Sequence, residues 1–173
     1  HFYILLIFNS LIWGCQSHPS GGTRRVEVVI ETIEGDILVE LYGDKAPESV
    51  KAFLAVVDKG LYKRASFYRV MNTDNQASNA PKAEFIQGGL WSRTKKRPAL
   101  PSVPHESTAQ TGLTHLAGTI SFARDEPGTA SSEFFICVDD QPGLDFGGPN
   151  NPDGQGYAAF GKVIRGMEVV RKI

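Results

Sequence analysis

The chain has 173 residues, 41% of them apolar, and its 18 Lys and Arg nearly balance its 19 Asp and Glu for a formal charge of -1. That is one globular domain's worth of core and too little for two. The mixing of both charge signs along the chain excludes the basic face of a nucleic-acid binder, and two cysteines make neither a disulfide framework nor a metal-ligand set.

A start at His1 instead of Met points to a longer precursor. From Phe2 to Gly14 the chain is nearly all apolar. A membrane-spanning helix needs about 20 such residues, so the run suits the apolar segment of a secretory leader. It ends in Leu11-Ile12-Trp13-Gly14-Cys15, which resembles a lipobox: an aliphatic residue three before the cysteine and a small one just before it. Cys15 is therefore expected to carry lipid and to become the mature N-terminus, anchoring the domain in a bacterial cell envelope, facing the periplasm. A secreted form with an unmodified cysteine and a plain hydrophobic anchor are the alternatives. Residues 16–24 are Gln, Ser, His, Pro, Gly, Thr and Arg, too polar to pack, and read as a flexible tether. The expected organisation is a leader over 1–15, a tether over 16–24 and one folded domain over 25–173.

In that domain Val26, Val28 and Ile30 share one face of a strand, Glu34-Gly35-Asp36 turns the chain, and residues 37–41 return it as a hairpin. Pro47 then stands at a first helical position. Val50, Phe53, Leu54 and Val57 follow at i, i+3, i+4 and i+7 before Gly60, an amphipathic helix with a glycine stop. Short apolar runs over 66–70, 85–87, 120–123, 134–138 and 159–164 read as strands. Many short strands, one early helix and no βαβ alternation predict a mainly β domain built as a closed antiparallel barrel. Two irregular segments, 72–83 and 91–112, have the length of functional or mobile loops. The basic run 93–97 reads as a solvated loop, Cys137 as a small buried apolar residue, and 150–156 as a turn, since it lacks the ligand spacing of a calcium loop.

The order of motifs is informative beyond its parts: Thr32-Ile-Glu-Gly-Asp36, Ala46-Pro47, Phe67-Tyr68-Arg69-Val70, Phe85-Ile-Gln-Gly-Gly89, Gly128-Thr-Ala-Ser-Ser-Glu-Phe-Phe-Ile136, Leu144-Asp145 and Phe160-Gly161-Lys162-Val163. Together they resemble the cyclophilin family of peptidyl-prolyl cis-trans isomerases, from Val26 to the end. The resemblance implies an eight-stranded barrel capped by two α-helices, with a proline-binding groove on its outer face, no cofactor and no metal. It further implies that the closing strand of the family is missing from this chain, which stops at Ile173 inside the second helix. The expected partners are proline-containing, unfolded or partly folded polypeptides of the envelope, served by a monomer.

That reaction asks little covalent chemistry. An X-Pro bond resists rotation by about 18–20 kcal/mol because nitrogen lone-pair density is delocalised into the carbonyl, and accelerating the rotation a millionfold takes about 8 kcal/mol. A grip on the proline ring, and a cation aimed at the nitrogen whose lone pair localises on twisting, can supply much of that. Arg69 matches the family's catalytic arginine, expected to project on the strand face opposite Tyr68 and Val70, and Gln87 the glutamine that orients it and meets the substrate backbone. Phe85 shares Gln87's face. Phe135 matches the pocket wall, with Phe134 turned to the core; Leu144 and Tyr157 match further pocket positions, Tyr157 where many relatives have His. Ala123 and Arg124 match the strand end that meets the residue before proline.

There are departures. Glu84 takes the slot of a pocket-floor phenylalanine and Phe85 that of a methionine. Glu133 replaces the commoner Gln; it keeps the capacity to accept a hydrogen bond and adds a negative charge near Arg69, with which it could pair. Gly143 stands where many eukaryotic relatives carry Trp, so cyclosporin-type ligands are expected to bind weakly and Gly143→Trp to strengthen them. Glu84 also slightly favours a rival reading, a chaperone module that holds proline segments without turning them over. A hydrolase built from His105-Glu106, His115 and a serine is a second rival, but no nucleophile elbow is present and His105 reads as a surface or loop-packing residue.

Overall fold

Residues 2–6, 26–91 and 98–173 are described by a computed structural model of the chain. The lipobox with Cys15, the tether 16–24 and the basic run 93–97 lie outside the described residues.

Every strand read from the sequence is present. Edge strand β1 (Phe2–Leu6) precedes the hairpin of β2 (Val26–Thr32) and β3 (Gly35–Leu41), in which Val28 faces Val39 and Ile30 faces Ile37. The turn between them is pinned by the Thr32 hydroxyl, which donates to the Gly35 carbonyl at 2.7 Å and accepts from the Glu34 N–H at 3.0 Å. β4 (Ser66–Met71), β5 (Phe85–Gly89), β6 (Thr119–Phe122), β7 (Phe134–Cys137) and β8 (Ala158–Arg165) complete one sheet. Its order is β1-β2-β3-β8-β6-β7-β5-β4, with every neighbouring pair antiparallel. Phe2–Leu6, the start of the apolar run read as a leader, lies along β2 with Ile4 opposite Ile30.

The sheet curls around its inner face. Ile30, Ile37, Ile86, Ile120, Phe134, Ile136 and Phe160 are all buried to 1% exposure or less and belong to one apolar cluster. Helix α1 (Pro47–Asp58) drives Phe53 into it. That ring meets Phe134 edge-on at 5.6 Å and Phe160 at 5.2 Å, geometries that aromatic quadrupoles favour. Of the predicted stripe, Val50, Phe53 and Val57 are buried, and Val56 takes the place expected of the half-buried Leu54. A second helix, α3 (Met167–Lys172), adds Val169 and Val170.

Helix α1 has no capping side chain of its own, since Ala46 stands at its N-cap. Its open donors are met from elsewhere. The Glu106 carboxylate accepts from the backbone N–H groups of Glu48 at 3.2 Å and Ser49 at 2.8 Å, and from the Ser49 hydroxyl at 2.7 Å, an acceptor where the helix dipole favours negative charge. At the other end Gly60 takes the left-handed conformation, φ 63°, while the N–H groups of Gly60 and Leu61 close on the Val57 and Val56 carbonyls, the glycine stop read from the sequence.

The segment 91–112, expected to be irregular throughout, contains a single helical turn, α2 (Thr108–Thr111), between the capping box of Ser107 with Gln110 and the left-handed Gly112. The insertion 72–83 has no strand or helix, but it is built around one cation: the Lys82 ammonium donates to the Thr73, Gln76 and Ala77 carbonyls at 3.3, 3.0 and 2.9 Å.

Candidate active site

Strand alternation sends every second side chain of β5, β6 and β7 outward. While Ile86, Phe134 and Ile136 face the core, Phe85, Phe135 and Cys137 join Ala83 and Leu144 in a second apolar cluster on the other face, with Met71, Ala123 and Tyr157 packed against it. The rings of Phe85 and Phe135 are 5.0 Å apart, and Tyr157 stands edge-on to Phe135 at 5.4 Å. This cluster floors a groove of about 400 Å³. Burial pushes the Cys137 thiol far up, so it sits there as a neutral apolar group.

Around that one groove the structure brings together Arg69, Gln87, Phe85, Ala123, Arg124, Glu133, Phe135, Leu144 and Tyr157, and adds Tyr68, Trp91, Asp125 and Thr129. The guanidinium of Arg69 lies 5.6 Å from the centre of the Phe85 ring and donates to Gln87 Oε1 at 3.3 Å. Gln87 Nε2 donates to the Tyr68 hydroxyl at 2.9 Å, which donates in turn to Glu133 Oε2 at 2.6 Å. A carboxylate thus polarises a hydroxyl, the hydroxyl fixes which way the Gln87 amide points, and the amide oxygen holds the guanidinium.

Several expectations need correcting. Tyr68 does not face away from Arg69. In the ladder of β4 with β5, Phe67 pairs Gly88 and Arg69 pairs Gln87, so Tyr68 is the extra residue of a bulge, and the kink turns both side chains to the groove. Glu133 does not pair with Arg69. Its second oxygen accepts from the Leu90 N–H and the Ser132 hydroxyl, each at 3.0 Å, and it reaches Arg69 only through Tyr68 and Gln87. Glu84 is no part of the pocket floor: its carboxylate turns back into the insertion to accept from the Thr73 N–H at 3.2 Å, leaving the floor to Phe85. The support Glu84 lent to a turnover-free chaperone goes with it. A side chain at Gly143 would first meet the amide of Asn150, so an indole there requires that amide to swing aside from the Pro81 and Lys82 carbonyls to which it donates.

Arg124 contributes more than backbone. Its side chain is only 1% exposed, paired in a fork with Asp153 at 2.6 and 3.0 Å; it donates through Nε to the Gly156 carbonyl at 2.9 Å and lies 5.3 Å from the Tyr157 ring. The hydrogen bond from Arg124 holds the Asp153 carboxyl down at about 2. The turn 150–156 is thereby strapped to the strand end, and Tyr157 is held against the pocket. His105 packs its loop against the turn 150–156, with Nε2 at 3.1 Å from the Gln155 carbonyl, whereas His115 is buried. Tyr68 was missed because strict alternation hides a bulge, and Trp91 because it opens a segment with no periodicity. Among the described residues no three His, Cys, Asp or Glu come together as a metal site.

Residues 26–173 match the family model described as cyclophilin type peptidyl-prolyl cis-trans isomerase/CLD. The chain is 37% identical over 147 residues to peptidyl-prolyl cis-trans isomerase B of Escherichia coli (strain K12), covering 84% of this chain and 82% of that one. It is 40% identical over 152 residues to peptidyl-prolyl cis-trans isomerase A of Dickeya dadantii (strain 3937), covering 87% and 72%. Among solved structures it is similar to a cyclophilin type peptidyl-prolyl cis-trans isomerase of Cryptosporidium parvum, crystallised in the presence of dipeptide ala-pro, with a TM-score of 0.63, 28% identity, and coverage of 84% of this chain and 83% of that one.

Proposed function

The chain belongs to the cyclophilin-type peptidyl-prolyl cis-trans isomerase family, and from that premise we propose that it rotates X-Pro bonds in the groove around Arg69, with the proline ring seated on Phe85, Phe135, Leu144 and Tyr157. The observation that carries this is the guanidinium poised at the lip of an aromatic pocket, oriented from behind by Gln87. As the bond twists, the nitrogen lone pair localises and becomes an acceptor; an Arg69 N–H donates to it, an interaction the planar ground state lacks, so it lowers the barrier without tightening ground-state binding. The second N–H of Gln87 Nε2 and the backbone at Ala123 and Arg124 hold the peptide on either side of the ring. Glu133, Asp125 and Thr129 border the segment before the proline. The test is exchange spectroscopy on a prolyl tetrapeptide: Arg69→Ala should lose about 100-fold in kcat/KM with its melting temperature kept, and turnover unchanged in a folded Arg69→Ala would overturn the assignment.

The same reading extends to the setting. The curled sheet is the greater part of a closed eight-stranded barrel, supported by the way its inner residues from β2 to β8 meet in one cluster. Cys15 carries the lipid that tethers the domain in the envelope, as a monomer acting on proline-containing envelope polypeptides. In cells bearing the full precursor, Cys15→Ser should release the protein from the membrane fraction or stall its processing; unchanged mass and fractionation would refute the anchor.

A further inference from the structure

Behind the pocket lies a side chain the reaction does not touch. His115 is 1% exposed, and both its ring nitrogens are engaged: Nδ1 with Asp145 Oδ1 at 2.7 Å and Nε2 with Ser121 Oγ at 3.0 Å. The same Asp145 oxygen accepts the His115 backbone N–H at 3.0 Å. Aspartate, histidine and serine stand here in the hydrogen-bonding order of a hydrolytic triad. Ser121 is nevertheless 0% exposed, so no substrate carbonyl reaches its oxygen, and the row is not a nucleophile.

What the imidazole does reach is the pocket, from its dry side. It stacks on Phe135 at 5.8 Å with 16° between the planes, and it meets Tyr157 edge-on at 6.5 Å. Asp145 directly follows Leu144, whose carbonyl accepts the Tyr157 N–H at 3.0 Å. Ser121 is the ladder partner of Phe135 across β6 and β7. Three walls of the pocket, carried by different parts of the chain, therefore converge on one ring.

We infer that His115 is a positioning residue for the proline seat: its two hydrogen bonds fix the plane of the imidazole, and that plane sets the tilt of Phe135 and its spacing from Leu144 and Tyr157. The inference rests on the reading of this pocket as the place where the proline ring binds. Because ring and pocket meet equally in the ground and twisted states, a misplaced wall raises KM and spares kcat, unlike damage at Arg69.

A graded series tests it, with kcat and KM read by exchange spectroscopy on the folded protein and melting temperature read in parallel. Asp145→Asn keeps an acceptor for both His115 donors and should hold KM within about twofold; Ser121→Ala orphans Nε2 and should raise KM about threefold; His115→Phe keeps a stacked ring but loses both bonds and should raise it about tenfold, kcat staying within about twofold throughout. A purely structural histidine would lower the melting temperature and leave KM flat across the series, and that result overturns the proposal. If His115→Phe does not fold, Ser121→Ala decides on the same criterion. Phe135→Ala, run alongside, separates two failures: KM raised there but flat in the series sinks only the role of His115, while KM flat in both sinks the pocket assignment itself.

Discussion

The two faces of β5 and β7 are made from the same strands and obey different rules. Inward, Ile86, Phe134 and Ile136 are all apolar and join one apolar cluster. Outward, Phe85, Gln87 and Phe135 mix rings with an amide and stand beside an exposed arginine. The inner face is held by volume, so what matters there is filling space. The outer face is held by direction, through Glu133, Tyr68 and Gln87 at one end and Asp145, His115 and Ser121 at the other. Substitutions inside should cost stability, and substitutions outside should cost chemistry.

The largest effect expected from breaking that contrast is Phe134→Ala, which empties a site at 0% exposure ringed by Phe53, Tyr62 and Phe67. It should lower unfolding free energy by about 3–5 kcal/mol, measured by urea denaturation, with any remaining folded protein turning over at the native rate. Next comes Arg69→Ala, with about 3 kcal/mol lost from transition-state stabilisation and almost none from stability. Arg69→Lys should recover only part of this, since an ammonium keeps the charge without the planar fork. A melting temperature that fell with Arg69→Ala as it does with Phe134→Ala would erase the distinction between the faces.

Smaller again is Tyr68→Phe, which removes one hydroxyl from the line between Glu133 and Gln87. With the amide free to turn over, kcat should fall about 5-fold at unchanged KM, near 1 kcal/mol; an unchanged kcat would show that Gln87 needs no support. The smallest effect concerns acid. Asp153 titrates near 2 in the folded protein and near 3.9 when unfolded. Its pairing with Arg124 therefore adds stability that is fully present above about pH 4 and is lost as the pH falls towards 2. Between those limits Asp153→Asn should flatten the fall of the denaturation midpoint relative to the unsubstituted protein; parallel curves would show that the strap carries no linkage.

What was legible in the sequence divides along the same line. Alternation and helical spacing located the strands and α1, because burial of one face writes its period into the residues. Arg69, Gln87 and Phe135 were legible through the order of their motifs. The orientation of Tyr68 was not, since a bulge depends on which residue of β5 each residue of β4 meets, and that register is a tertiary fact. Glu84 was misplaced because the insertion makes its own hydrogen bonds and draws the carboxylate into them. The neighbour that a side chain at Gly143 would meet was not legible, because Asn150 reaches it only after a turn whose path no local rule sets. The turn α2 could have been found: Ser107, Gln110 and Gly112 are a capping box followed by a glycine stop.

The Glu106 carboxylate on the first turn of α1 also bears on time. The helix is synthesised well before its cap, which follows Ser49 by 57 residues. At translation rates of about 5–20 residues per second, that separation is about 3 to 11 s. For that interval the α1 segment lacks both the acceptor for its first donors and the later strands that cover Phe53, and a helix of 12 residues is marginal in water by itself. The Pro-rich stretch that delivers Glu106 thus completes the helix late: until it docks, the first turn of α1 is open, and once it docks that entrance is shut.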